Sequence, residues 1–480
     1  MKQIIYLLRN IIPVTFLFGV IVGCGNYSPE RDAYRFLENN FGHHHSFVQY
    51  IVDRNGKTVD FSPYQYEDLY KALDVFDSLC VVHTLFAEFL NDSPAISPET
   101  LREHACRMVA VWQQAPCKDS FDINDFYEYV LPYRTGVEKW DDYADTLVHN
   151  IASISSMHEN MHSTVAAINQ KLAGLLVFDL RSHGLLHEPG IPELLRAGMG
   201  SCMALCGVVA QSLRLAGIPT SIDECPVWGH RNSGHQWNAY ANEKGQWIPF
   251  DALEYGTEPF TAISDSVKAP KIFRHTFSSC ESCLPPIKHN DIPPALRNPH
   301  RVDVTHMYVT ASDVEIDVSG DESIIYLSVF NGGEWRIVEW AAVENGKALF
   351  RNMGNNNIVY MPAYYRNDEV IPAADPFVLT PHGKKVQSAL TDQRKDVKLS
   401  HFNVFYDLKW HMGRPSQISE FELCYWDKEW ISCGKFIAGP DKYLHYKNVP
   451  PGAVYWLKIT NWDNTWQRIF TIEDGEQLWF

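Results

Sequence analysis

The chain has 480 residues, of which 45% are apolar, 13% aromatic and 21% charged. That composition excludes a mainly disordered, collagenous or coiled-coil protein and predicts about three or four domains at roughly 100–200 residues each. With 41 Lys+Arg against 58 Asp+Glu the formal charge is −17, which excludes a general binder of nucleic acid, because that affinity rests on cations neutralising phosphates; the 11 cysteines are too few for a disulfide scaffold.

Lys2 and Arg9 flank an apolar run, Ile11 to Val22, broken by Pro13, Thr15 and Gly19. At about twelve residues it is too short to span a bilayer as a helix and reads as a secretory signal over residues 1–23. The run ends in Ile21-Val22-Gly23-Cys24, which resembles a bacterial lipobox. The resemblance implies cleavage before Cys24 and lipidation of its thiol, and two or more acyl chains anchor stably where one does not. The expectation is a protein of the bacterial cell envelope, held at the outer membrane by its N-terminal lipid alone.

Residues 24–180 read as a mainly helical region. Tyr66 to Leu90, Ser97 to Gln114 and Asp145 to Leu176 carry apolar residues at spacings of three and four. Ser97-Pro98-Glu99 is a helix start: a cap, Pro in the first position, then an acidic first turn. His43-His44-His45 cannot all face one point and reads as a surface loop rather than a metal site. Arg134 and Glu138 are i,i+4 partners if helical, forming a structural ion pair or touching substrate.

Residues 181–275 carry the chemistry. In the segment Gly198 to Pro226, Cys206, Val209, Ala210 and Leu213 fall on one helical face, Gly217 is a natural end and Pro219 prevents continuation. Cys202 then stands at the first turn of a buried helix, where backbone N–H groups converge and favour an anion, the form in which a thiol attacks. A disulfide to Cys206 is unsuited, since i,i+4 side chains lie about 5–6 Å apart at Cβ against about 3.8 Å in a disulfide. A thiolate nucleophile needs a base. His235, Trp237 and Ala239 share one face of a predicted strand; Trp247, Pro249 and Asp251 share one face of the next. A hairpin centred on Glu243 sets His235 directly opposite Asp251, about 4.5–5.5 Å apart at Cβ. Trp228, Trp237 and Trp247 line a cleft or pack the core. His230 and Glu254 are weaker rivals for base and orienter.

Residues 276–302 are rich in proline and read as a semi-rigid linker. Cys280-x-x-Cys283 lies between His275 and His289, but one such pair favours a disulfide or free thiols over zinc. Beyond it the texture is β throughout. Tyr326 to Trp335 resembles Phe421 to Trp430, with Glu334-Trp335 matching Glu429-Trp430 at an offset of 95. This predicts two tandem β-sandwich-like domains, over 303–385 and 392–480. Cys424 and Cys433 flank a predicted hairpin and suit a cross-strand disulfide; Cys106 and Cys117 could close a short loop.

Four blocks in order, Gly200-Ser201-Cys202, Gly217-Ile218-Pro219, Gly234-His235-Gln236-Trp237 and Trp247 through Asp251, resemble the transglutaminase-like superfamily of papain-type thiol enzymes. Thr220 and Ser221 stand where that family often has Ala-Arg. Phe126 to Trp140, with Arg134 and Glu138, resembles an upstream segment of some bacterial lipoproteins of the same superfamily. The resemblance implies an α+β fold: a papain-like transglutaminase core with an N-terminal helical region, followed by the two β-sandwich-like domains. It also implies a Cys202–His235–Asp251 triad acting on a peptide or protein substrate, with cell-envelope or glycan-associated substrates among the candidates. No cofactor and no metal are expected. Peptide or amide hydrolysis, transamidation with an amine as second nucleophile, and non-catalytic glycan or protein binding are the three functions to separate; the intact triad speaks against the last.

Overall fold

The computed structural model describes residues 28–52, 58–59, 84–115, 118–151, 160–179, 189–253, 267–406, 409–415, 419–462 and 466–480. The signal, Cys24, Cys117 and Glu254 lie outside these. The protein is mixed helix and sheet, with β-sandwich-like sheets in its C-terminal half. It divides into two compact units: Met1–Ile222, Trp237–Phe260 and Thr276–Ser279 form the first; Asp223–Gln236, Thr261–His275 and Cys280–Phe480 form the second.

In the first unit, local chemistry sets the helix starts. Ser28 caps Pro29–Phe41 and Ser97 caps Pro98–Gln114, accepting from the Thr100 N–H at 3.1 Å. In both, proline takes the first turn, where its missing N–H costs nothing. Ala33 and Leu37 of one helix meet Leu101, Ala105 and Met108 of the other in a buried cluster. Strand His45–Val52 pairs antiparallel with Thr84–Asn91, from Val52↔Thr84 to His45↔Asn91. Two expectations are corrected here. Leu85 to Leu90 is strand rather than the end of a helix, because a paired neighbour outweighs spacing over so short a run. His44 is buried rather than in a surface loop: its ring stacks on Phe277 at 4.2 Å and its Nε2–H donates to the Phe277 carbonyl at 2.9 Å.

The second core of this unit surrounds the helix Cys202–Leu215. Every residue from Leu205 to Arg214 is buried, as expected of a helix apolar on most of its circumference. Leu205, Val208, Val209 and Leu213 pack against Leu147 and Ile151 of Ala144–Ile151, and against Val165, Ile168 and Leu172 of Met161–Ala173. Burying each such side chain contributes about 1.5–3 kcal/mol. The long helix expected from Asp145 is thus two helices. Tyr240 and Phe250, from the strands His235–Ala241 and Trp247–Phe250, join the same core.

In this unit Asp141 is mostly buried, and its Oδ1 has no hydrogen-bond partner among the described residues. Burial, and then the charges on Glu193 and Glu138, push its carboxyl up to about 7. A carboxyl raised in the folded state binds its proton more tightly there, so stability is full below the unfolded value near 4 and is lost as pH rises towards 7. Asp141→Asn should therefore match wild type at pH 4 and exceed it by about 1–3 kcal/mol at pH 8. Urea melts of both proteins across that range check this; parallel curves would refute it.

In the second unit, the sheet over residues 311–386 is antiparallel and eight-stranded. Its path runs Ala311–Asp317, Lys347–Gly354, Glu334–Glu344, Ile324–Asn331, Ile358–Arg366, Phe377–Thr380, Gly383–Val386, with Glu369–Pro372 beside Ile358–Arg366. It closes on a core of Val314, Leu327, Val329, Phe350, Tyr360 and Leu379. The chain from Lys395 onward builds a further five-stranded sheet and smaller sheets around Leu423, Tyr446, Leu457 and Phe470. The repeat is visible as a shared hairpin. Phe330 pairs with Trp335 across the turn Gly332-Gly333, where both φ angles are positive (64° and 86°), the geometry a two-residue turn needs. Trp426 pairs with Trp430 across a turn held by Lys428 at φ 62°. The two tips meet, with Trp335 on Trp426 at 5.3 Å and Phe330 on Trp430 at 5.5 Å.

Cysteine pairing in this unit departs from one expectation. Cys424 faces Ser432 across the hairpin, so Cys424 and Cys433 are free thiols. Cys280 and Cys283 are disulfide-bonded. The proline-rich stretch is packed rather than a bare spacer: Ile292 and Leu296 are buried against Ile324, Tyr326 and Ile337.

Candidate active site

Cys202 is the first residue of the helix Cys202–Leu215. Ser201 is its cap, with extended backbone (φ −70°, ψ 165°) and a hydroxyl that accepts from the Ala204 N–H at 3.2 Å. Gly198, at φ 74°, ends the helix Ile191–Ala197 in the left-handed region and lets the chain turn into this cap. Cys202 is partly exposed, while Cys206, one turn on, is 1% exposed. Burial, and then the charges of Cys202 and Asp251, push the Cys206 thiol well up. That makes Cys206 a poor nucleophile, and it places both Cys202 and Asp251 within electrostatic reach of one buried sulfur.

Asp251 follows the strand Trp247–Phe250 directly. Its backbone is clamped by Asn169, a residue missed from the sequence. Asn169 is 1% exposed; its Nδ2 donates to the Asp251 carbonyl at 3.3 Å and its Oδ1 accepts from the Leu253 N–H at 2.8 Å. Leu253 sits at φ 65°, a strained position for a side chain with γ-branching that the clamp helps hold. The available signal was an amide among Val165, Ile168 and Leu172 on an apolar helix face. Asn169→Ala should lower stability by about 1–3 kcal/mol in a urea melt, because two interior backbone groups lose their partner; an unchanged midpoint would show the clamp idle.

Asn238 ties the parts together. Fully buried, its Nδ2 donates to the Cys206 carbonyl at 3.0 Å and to the Ser221 carbonyl at 3.4 Å, joining strand to helix. The hairpin register corrects the expected pairing. Asn238↔Phe250 through Ala241↔Trp247 centre the turn on Lys244 rather than Glu243. Continued by one position, that register sets Trp237, not His235, level with Asp251. His235 itself opens the strand His235–Ala241. The glycine before it is required by close approach: a Cβ on Gly234 would lie 2.3 Å from the Pro226 carbonyl oxygen and 2.5 Å from that of Cys225.

The remaining candidates are placed as follows. Trp237 is fully buried and Trp228 is 2% exposed, with Arg231 over its ring at 4.5 Å. Trp247 is partly exposed, edge-on to Tyr129 at 4.8 Å. Arg134 is buried and its guanidinium grips Asp92, with Nη2 to Oδ1 at 2.6 Å and Nε to Oδ2 at 2.8 Å. Glu138 accepts from the Thr135 and Gly136 N–H groups, both at 2.8 Å, in a turn rather than a helix, and lies 3.9 Å from Arg134. His230 is held neutral: burial, then the cations Arg231, Arg468 and Lys268, pull it down to about 3, and its Nδ1 accepts from the Lys268 N–H at 3.2 Å. Among the described residues no His, Cys, Asp and Glu group is arranged to hold a metal, and no helix is long and apolar enough to cross a membrane.

No protein-family model matches this chain, and no curated protein matches it. Among solved structures, the crystal structure of a TGase is 12% identical over 36% of this chain, with a TM-score of 0.19. The chain spans only 42% of that structure's length. Red sea bream transglutaminase is 10% identical over 92% of this chain and 78% of its own, with a TM-score of 0.24. Overlaps at such scores bear on neither fold nor chemistry.

Proposed function

We propose that this protein is a thiol enzyme of the transglutaminase-like kind, exported and lipid-anchored through Cys24, that hydrolyses a peptide or amide bond through Cys202, His235 and Asp251. The observation that carries this reading is Cys202 at the first position of a capped, buried helix, partly exposed, with Asp251 acting on the same neighbouring thiol. The order of the four sequence blocks supplies His235 as the base.

In this reading the Cys202 sulfur attacks the acyl carbon, and a C–S bond forms as His235 takes the thiol proton. The Cys202 N–H, free at the helix start, donates to the developing oxyanion. Collapse breaks the C–N bond and His235 returns its proton to the leaving amine. Water, deprotonated by His235, then cleaves the thioester, releasing the acid and restoring the thiol. Asp251 orients His235. An amine in place of water would give transamidation, since both outcomes share the first half-reaction; bulk water outside the cytoplasm favours hydrolysis. Trp247 is the one of the three tryptophans with exposed surface to offer a substrate.

The test is alkylation of Cys202 across pH, followed by release of acid from a peptide library with and without added amine. Acid as the product in both conditions supports hydrolysis; an amide conjugate formed only with amine supports transamidation.

A further inference from the structure

The proposed base is reached through a loop with no helix or strand of its own. Residues 226–234 join the strand Thr220–Cys225 to the strand His235–Ala241. Such a loop keeps one shape only where its backbone groups find partners. The Trp228 N–H donates to the Ser233 carbonyl at 3.1 Å, and Ser233 sits at φ 65°, a region that side-chain-bearing residues seldom adopt. One side chain from far along the chain fills this bend. Asn331 ends the strand Ile324–Asn331 and is 1% exposed. Its Nδ2 donates to the carbonyls of Arg231 at 2.9 Å and of Trp228 and Ser233 at 3.0 Å, and its Oδ1 accepts from the Ser233 N–H at 2.9 Å. The Asn232 Oδ1 returns the contact, accepting from the Gly332 N–H at 3.0 Å. Buried Arg468 ties the same two segments, with Nη2 to the Gly229 carbonyl at 2.6 Å and Nη1 to the Phe330 carbonyl at 2.7 Å.

We propose that Asn331 is a positioning residue for the base: its amide fixes residues 228–233 and so sets where His235 stands at the start of its strand. The inference rests on the reading of His235 as the group that takes the Cys202 proton. An amide suits the task because it carries donors and an acceptor together; a carboxylate has no donor for the three carbonyls. Little slack separates clamp and base. Ser233 is two residues before His235, and Gly234 between them lies so close to the Cys225 and Pro226 carbonyls that a Cβ there would stand 2.5 Å and 2.3 Å from their oxygens. A base must lie within hydrogen-bond reach of the proton it takes, and a misplacement of about 1 Å costs about 100-fold. The sheet that carries Asn331 therefore belongs to the machinery that aims His235, besides whatever else it binds.

The experiment labels the purified full chain with iodoacetamide across pH and reads Cys202 by peptide mass, in wild type, Asn331→Ala, Asn232→Ala, Ser328→Ala and His235→Ala. Asn331→Ala should move the midpoint of Cys202 labelling up by about one pH unit or more, towards the roughly 8.5 of a free thiol, as His235→Ala does. Asn232→Ala removes a single bond of the clamp and should shift the midpoint less, in the same direction. Its own Nδ2 already lacks a partner among the described residues, so this variant carries the test should Asn331→Ala fail to fold. Ser328→Ala is the control for a merely structural loss: on the same strand, it gives up a buried bond to the Met361 carbonyl at 3.0 Å and touches none of the loop's bonds, so its profile should match wild type. Wild-type profiles in both asparagine variants, with His235→Ala shifted, overturn this inference alone. A shift in Ser328→Ala equal to that in Asn331→Ala overturns it too, since Asn331 would then only hold the sheet together. A profile that His235→Ala leaves unmoved overturns the reading of His235 as the base, and this inference with it.

Discussion

Iodoacetamide should modify Cys202 rapidly near neutral pH, and His235→Ala should slow that modification together with turnover. A positioned general base contributes about 10²–10⁴-fold, so turnover in His235→Ala should fall by at least about 100-fold, while Cys202→Ala should remove it. The modified site must be read by peptide mass, because Cys106 is also an exposed free thiol. Cys206 and Cys225, whose thiols burial pushes well up, should stay unmodified in the folded protein and become modified only on unfolding. These two act as internal controls for the fold of each variant. Asp251→Asn should lie between wild type and His235→Ala, since it leaves the base in place and removes only its orienter. Equal labelling rates in wild type and His235→Ala would sink the thiol-enzyme reading; labelling of Cys106 alone would do the same.

Breaking the Asp92–Arg134 pair should be the most damaging change to stability. Both side chains are buried, at 1% and 2% exposure. The network also includes the Tyr133 hydroxyl, which donates to Asp92 at 2.8 Å, and Ser46, whose Oγ accepts from Arg134 at 3.1 Å. Removing one partner leaves the other charge inside without compensation, which costs about 3–5 kcal/mol. Asp92→Ala and Arg134→Met should each show that loss in a denaturant melt. The double variant Asp92→Leu with Arg134→Met should recover much of it, because apolar groups of similar size need no partner. A loss in turnover with an unchanged melt would instead assign Arg134 to a substrate groove, the other role its sequence context allows.

Features set by a few neighbouring bonds were legible in the sequence. Ser97 before Pro98 caps a helix as the sequence predicts, through a single side-chain bond three residues long, and Cys202 begins a helix as the spacing of Cys206, Val209, Ala210 and Leu213 predicts. The two hairpins of the β half share the Trp335 and Trp430 positions that their repeat implies. Features set by partners far along the chain were not legible. Helical spacing in Leu85 to Leu90 lost to pairing with a strand some 40 residues earlier in the chain. The Cys424–Cys433 disulfide failed on which residue faced Cys424.

What the sequence by itself determined is the order of the candidate residues: a cysteine at a helix start, then a glycine-histidine block, then an aspartate after a tryptophan strand. Those are local patterns, and their bonds form within a turn or a strand whatever surrounds them. The tertiary structure decided what those residues meet. It centred the hairpin on Lys244, so that the strand register runs from Asn238↔Phe250 to Ala241↔Trp247 and, continued by one position, sets Trp237 level with Asp251. It gave Asp251 a clamp 82 positions away in Asn169, and Arg134 a carboxylate 42 positions away in Asp92. Each depends on which distant group the packing brings within about 3 Å, where a hydrogen bond is made or lost, and residue spacing carries no record of that.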